Sequence, residues 1–172
     1  MSKLTIQQKF KDKLEELEAN LAYQKGANNC AASTLTNILD VIGIEDFHYY
    51  NMAIPLAGGF GGFRSKNKWK GPCGAVCGGC AAIGIILGGQ EKIKDKDMAK
   101  VYLKAAEFVE NFEEQFGSTT CQELCGIDFG DPHGYIEYTT KKIWEKICHK
   151  YVIWAIKEVQ RLCKRQLKKI WS

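Results

Sequence analysis

The stretch GPCGAVCGGCAAIG, residues 71–84, decides how the rest of the chain is read. It holds three cysteines, Cys73, Cys77 and Cys80, among glycines and alanines, with no charged residue between them. On a helix, the spacing i, i+4 and i+7 sets all three sulfurs on one stripe. The apolar run continues from Cys73 to Leu87 and stops at Gly88-Gly89. Such a helix has almost no polar face, so it is expected at the centre of a helical bundle, with Pro72 in its first turn. The small residues beside the cysteines leave room for a neighbouring helix, or for something bulkier than a side chain, such as an inorganic cluster.

Outward from that segment the chain reads as further helices. Ile6, Phe10, Leu14, Leu17 and Leu21 recur at steps of three and four over residues 3–24, an amphipathic helix ending near Gly26. Asn28 or Asn29 is placed to cap a second helix carrying Ala32, Leu35, Ile38, Leu39 and Ile42 and ending at Gly43, with Cys30 in its first turn. Residues 47–56 read as a short helix distorted at Pro55. GGFGGF, residues 58–63, with the following RSKNKWK, reads as a loop. It lacks the Gly-Lys-Ser or Gly-Lys-Thr of a phosphate cradle, and its glycines point to a bend or a close backbone approach.

Residues 95–115 form another amphipathic helix, with Met98, Val101, Ala105, Phe108, Val109 and Phe112 inward. Ser118 is placed to cap a short helix holding Cys121 and Cys125, which GIDFGDPHG, residues 126–134, ends. The periodicity then predicts one last helix from about Tyr138 to Ile170, through Ile143, Ile147, Cys148, Val152, Ala155, Ile156, Val159 and Leu162. Period-two alternation is nearly absent, so the predicted class is all-α. The expected architecture is a compact single-domain bundle of about six helices around a cysteine-lined core, with residues 1–26 as an N-terminal helix packing on the cysteine-bearing core, 28–170.

At 172 residues, 45% hydrophobic and 26% charged, the chain suffices for one core and is short for two domains. The net charge is a modest +4, and only RLCKRQLKKIWS, residues 161–172, forms a basic patch. It reads as a solvated last helix whose cations complement the helix dipole. No zinc-finger, helix-turn-helix or aromatic-basic stacking pattern accompanies it, so no nucleic-acid partner is expected. No segment reaches the ~18–20 consecutive apolar residues that cross a bilayer, so no membrane insertion is expected. The N-terminal MSKLTIQQKFKDKLEEL has neither signal-peptide nor transit-peptide character. The expected compartment is the cytoplasm, where disulfides stay reduced, and eight cysteines there point to metal binding or redox chemistry.

Beyond the stripe, Cys121 and Cys125 stand at i and i+4, and Cys30, Cys73 and Cys121 each lie near a predicted helix N-terminus, where the local field favours thiolate. The candidate cofactor- and metal-binding residues are therefore Cys30, Cys73, Cys77, Cys80, Cys121, Cys125 and Cys148. Cys163 reads equally well as a small core hydrophobe. Thiolate zinc sites take four ligands, usually on knuckles or loops. Seven candidates on helices fit an iron–sulfur cluster better. An electron-transfer protein with an iron–sulfur cluster is the leading expectation. A thiol–disulfide oxidoreductase working through Cys77 with Cys80 or Cys121 with Cys125, and a zinc-stabilised module, stay open. Asp128, Asp131 and His133 read as a proline turn whose aspartates cap backbone groups rather than as a metal site. His149 reads as a surface residue or one standing behind the ligands, rather than as a ligand, and His48 has no evident partner.

Cys30 in NNCAAS, then GGFGG, GPCGAVCGGCAAIGIILGG, FEEQFGSTTCQELCGIDF, and Cys148 in EKICHKYV form an ordered set over about residues 28–155. In that order they resemble the C_GCAxxG_C_C family, whose name motif appears as CGAVCG, residues 73–78, and as GCAAIG, residues 79–84. The resemblance implies a helical, redox-active protein with four characteristic cysteines, here Cys30, Cys73, Cys121 and Cys148. It also implies kinship with a domain of split-Soret cytochromes, which are dimeric and carry an iron–sulfur site beside their haems. No C-x-x-C-H motif is present, so haem is not implied. Cys77, Cys80 and Cys125 depart from the family pattern and suggest a cluster of [4Fe–4S] size or larger, or two clusters close together. A redox partner protein is implied without any residue that names it. A homodimer is compatible with the N-terminal stripe and the long C-terminal helix, which the core of one domain explains equally well.

Overall fold

The computed structural model describes residues 4–19, 29–63, 66–67 and 69–171, so Leu21, Gly26 and Asn28 of the expectations above lie outside the described residues. In chain order the helices are α1 (Ile6–Ala19), α2 (Cys30–Val41), α3 (Phe47–Ala53), α4 (Gly74–Gly88), α5 (Asp95–Phe116), α6 (Cys121–Cys125), α7 (Gly134–Thr140), α8 (His149–Leu162) and α9 (Lys164–Ile170). A 3-10 turn at Ile54–Leu56 takes up Pro55, and a π-helical turn, Trp144–Cys148, leads into α8. No strand forms among the described residues, and the fold is all-α.

Among the described residues nine α-helices stand where about six were expected, and the C-terminal third accounts for most of the difference. The predicted helix from Tyr138 to Ile170 is broken twice. Lys142 takes a left-handed φ of 53° after α7, and Cys163, at φ −98° and ψ 9°, separates α8 from α9. The hydrophobic period does not register these breaks because buried Ile143, Trp144 and Cys148 carry it across the π-helical turn into α8.

The apolar cysteine segment is central, as its composition requires: α4 packs on α2, α5 and α8. The contact with α2 is close because the facing positions are glycines. A Cβ on Gly74 would lie 2.9 Å from Ala31 N and 3.0 Å from Cys30 Cβ, and one on Gly78 would lie 2.5 Å from Ala31 O. On another face the ring of Phe108 from α5 fills the space at Gly79, with Cζ 2.4 Å from the position a Cβ would take. At these three glycines the room is taken by a neighbouring helix and an aromatic ring, the first of the two alternatives open from the sequence.

Around α4 the periodic residues behave as expected. Ile6, Phe10, Leu14 and Leu17 are buried where α1 meets α2 and α8. Asn29 caps α2, its side-chain oxygen accepting from Ala32 N at 2.9 Å, while its Nδ2 donates to Ile54 O at 2.7 Å. Phe108 and Phe112 are fully buried and stack with Phe116, Tyr151 and Trp154. Met98, Val101, Ala105 and Val109, expected inward, are only partly buried. No described helix is long and apolar enough to cross a membrane.

Candidate functional site

Pro72 does not enter α4. Cys73 is the N-cap residue, in extended backbone at φ −61° and ψ 134°, and Pro72 pairs with Thr120 in an isolated antiparallel bridge. Cys73 N donates to Thr119 O at 2.7 Å and Cys121 N donates to Gly71 O at 3.0 Å. The bridge pair between these bonds makes none of its own, which suits a proline without an N–H. The same segment is pressed against the glycine loop, since a Cβ on Gly71 would lie 1.8 Å from Phe60 O. This bears out the close-approach reading of GGFGGF. The bridge sets Cys73 beside Cys121, the first residue of α6, although 48 positions separate them in sequence.

Around this bridge five thiols act on one another. Cys30 at the start of α2 meets Cys148 at the end of the π-helical turn, and Cys121 meets Cys125 across one turn of α6. Cys73 lies within electrostatic reach of Cys30, Cys121 and Cys148. Cys73, Cys125 and Cys148 are buried, Cys30 and Cys121 half-buried, and all eight cysteines are free.

The pairs polarise. The thiol of Cys121 lowers Cys125 to about 7, and Cys30 lowers Cys148, whereas the donating partners Cys121 and Cys30 are pushed up, first by that pairing and then by burial. Burial takes Cys73 up to about 12 despite the facing amides of Ala75 and Val76. The expectation that Cys30, Cys73 and Cys121 are acidified by helix N-termini is therefore overturned. Their positions at helix starts are as predicted, but thiol pairing and then burial at Cys30 and Cys121, and burial at Cys73, outweigh the field, and the lowered thiols are the partners Cys125 and Cys148.

Cys77 and Cys80 stand apart. They are half-buried along α4, and Cys73 leaves their stripe because the helix begins only after it. Desolvation raises both to about 11, and their thiol neighbours are Cys73 for Cys77 and Cys77 for Cys80. Cys163 is buried at the α8–α9 break, raised by burial to about 12, with no other thiol acting on it.

Two tyrosines complete the centre, and the sequence reading did not single them out. Tyr138 of α7 interacts with Cys148, helping to lower it, while burial and the surrounding thiols push the phenol up. Tyr151 donates to Leu124 O at 3.0 Å and is raised to about 12 by burial and by Cys148, Cys73 and Cys125. Neither carries a motif or spacing that marks it in the chain.

Other polar candidates resolve simply. Asp128 accepts from Gly130 N at 2.8 Å and Asp131 from His133 N at 2.7 Å, which is the turn reading. His48 does have a partner, Asp46, at 2.6 Å. His149 is buried edge-on against Trp144, which excludes the surface alternative and leaves the one behind the ligands. Among the described residues, no three of His, Cys, Asp or Glu are gathered into a ready metal-holding group.

The family described as "Putative redox-active protein (C_GCAxxG_C_C)" matches residues 28–162. The chain belongs to the C_GCAxxG_C_C family. No curated protein and no solved structure matches the chain. The C_GCAxxG_C_C match spans α2 to α8 and so takes in every element that contributes to the thiol centre. Cys30, Cys73, Cys121 and Cys148, the cysteines that the resemblance picked out, all stand in that centre, joined by Cys125, whereas Cys77 and Cys80 flank it. A redox role is what the C_GCAxxG_C_C description supports.

Proposed function

We propose that this is an electron-transfer protein whose thiol centre holds an iron–sulfur cluster on Cys30, Cys73, Cys121, Cys125 and Cys148. One observation carries the reading: five free thiols from four separate elements converge in a largely buried place. Several thiolates in such a place repel one another and lose hydration, a cost that bound metal offsets. An all-sulfur donor set suits iron–sulfur chemistry, which supplies electron storage when the cluster is present.

The chain's own contribution is to hold the thiols. The Pro72–Thr120 bridge positions Cys73 and Cys121, the Asn29 cap positions Cys30, and Tyr138 stabilises the thiolate of Cys148. Because no ready metal-holding group is present among the described residues, loading requires the Cys30–Cys148 and Cys121–Cys125 pairs to open.

A second reading rests on the pair in α6. Cys125, lowered to about 7, beside half-buried Cys121 is the polarisation that a dithiol needs to pass to a disulfide. Anaerobic purification with iron and sulfide analysis separates the two. Iron and acid-labile sulfide in near-equal amounts, with visible absorption, supports the cluster. A colourless, metal-free protein that loses two thiols to a mild oxidant supports the dithiol, and one zinc per chain without colour overturns both.

A further inference from the structure

The end of α4 away from the cysteines opens into a cleft of about 570 Å³ that the redox reading does not use. Six cationic side chains line it: Lys92, Lys94, Lys96, Lys100, Arg165 and Lys169. They come from three parts of the chain, the α4–α5 connection, the first turns of α5, and α9. The basic C-terminal run thus meets a second basic run, KIKDKDMAK, and the break at Cys163 is what frees α9 to reach it.

The carboxylates lining the cleft are Glu91 and Asp97, and Asp97 is engaged by Lys100 at 2.5 Å. Six cations against two carboxylates leave an excess of four, as large as the net charge of the whole chain. Lys92, Lys94, Lys96, Arg165 and Lys169 form no ion pair among the described residues. Like charges gathered in a concavity with apolar walls repel one another and concentrate counter-anions. The N-terminus of the 22-residue α5 lies at the same space, but Asp95 and Asp97 in its first turn offset the helix dipole, so the six cations rather than the helix end supply the positive field.

We propose that this cleft binds a small molecule with two or more adjacent phosphoryl groups. Its volume falls in the range of about 300–1,000 Å³ typical of small-molecule sites. Leu87, Val101 and Ile170 provide apolar surface for the rest of such a ligand. No aromatic side chain lines the cleft, so the stacking platform of a single-stranded nucleic-acid site is missing from it. The cleft and the thiol centre lie at opposite ends of α4, about 22 Å apart at 1.5 Å per residue.

The test is calorimetric titration of the whole protein with inorganic tripolyphosphate, ATP, AMP, orthophosphate and a 12-nucleotide single-stranded DNA. Tripolyphosphate and ATP are expected to bind about tenfold or more tightly than orthophosphate, with affinity falling as salt rises. The double change Arg165→Gln, Lys169→Gln, and separately Lys94→Gln, Lys96→Gln on the opposite wall, should each weaken that binding about tenfold. Lys141→Gln, outside the cleft, should leave it unchanged. Removing repelling cations should not lower the thermal midpoint of the unliganded protein. Equal binding of all phosphates, binding indifferent to both double changes, or an oligonucleotide that binds more tightly than the triphosphates would each overturn the proposal.

Discussion

Cys73 and Cys121 are tied together through the backbone as well as through the field between their thiols. Each donates its amide to the segment that carries the other, Cys73 N to Thr119 O at 2.7 Å and Cys121 N to Gly71 O at 3.0 Å. The thiol centre is therefore sensitive to residues that never touch a sulfur.

Gly71→Ala tests that dependence. The added methyl would sit 1.8 Å from Phe60 O, a backbone atom that moves only if the glycine loop moves. Urea unfolding should show a loss of about 3 kcal/mol, and, on the proposed cluster, a marked fall in the iron retained through anaerobic purification. Unchanged stability would mean that the loop adapts freely and that the contact sets nothing.

Two glycines of α4 should respond in opposite directions to the same change. Alanine is the better helix former by about 1 kcal/mol, and at Gly84 nothing lies within 4 Å of the new Cβ, so Gly84→Ala should raise the thermal midpoint. At Gly78 the new Cβ would meet Ala31 O at 2.5 Å and Thr34 Cβ at 2.9 Å, so the overpacking cost of about 1–3 kcal/mol wins and Gly78→Ala should lower it. Shifts of the same sign would show that α2 and α4 can separate without cost.

Serine substitutions divide the cysteines. Cys73→Ser, Cys125→Ser and Cys148→Ser remove thiols from within the centre, and if it holds the proposed cluster they should leave less than about a tenth of the iron and sulfide bound by the unsubstituted protein. Cys77→Ser, Cys80→Ser and Cys163→Ser should retain them, since Cys77 and Cys80 flank the centre and Cys163 is remote from other thiols. Loss of iron from Cys80→Ser would move the ligand set along α4.

Acid should expose one ion pair in α8. Glu158 accepts from Arg161 Nη2 at 2.6 Å, Arg161 Nε at 2.8 Å and Asn111 Nδ2 at 2.7 Å. Arg161 first, then Asn111, hold its carboxyl below the usual carboxylate range. A carboxylate depressed on folding stabilises fully above its unfolded value and loses that stabilisation as pH falls through the folded one. Glu158→Gln should therefore cost about 1–2 kcal/mol at pH 7, and the gap in thermal midpoint should close as pH falls below about 4. A gap that persists to strongly acidic pH would assign the loss to packing.

What could be read from the chain follows from what leaves a local trace. Ile6, Phe10, Leu14 and Leu17 mark α1 by period, Asn29 marks the start of α2 by its cap, and Gly88-Gly89 marks the end of α4. The break at Lys142 leaves none, because a lysine with positive φ looks like any surface lysine. The stripe of Cys73, Cys77 and Cys80 was legible as spacing, but Cys73 sits one residue before the helix, and an N-cap in extended backbone points elsewhere. The thiol acidities were misplaced for a similar reason. Field at a helix end can be read from sequence, whereas burial of Cys73 and the pairing of Cys148 with Cys30 from another element cannot. Tyr138 enters the centre through tertiary packing alone.

The π-helical turn at Trp144–Cys148 holds one residue more than an α-helical turn would. Each residue of a helix rotates its successors by about 100°, so that single insertion sets Cys148 and the apolar face of α8 in independent directions. The turn works as a phase shifter between chemistry and packing: removing one residue there would leave α8 foldable and the preceding thiol, Cys148, misdirected.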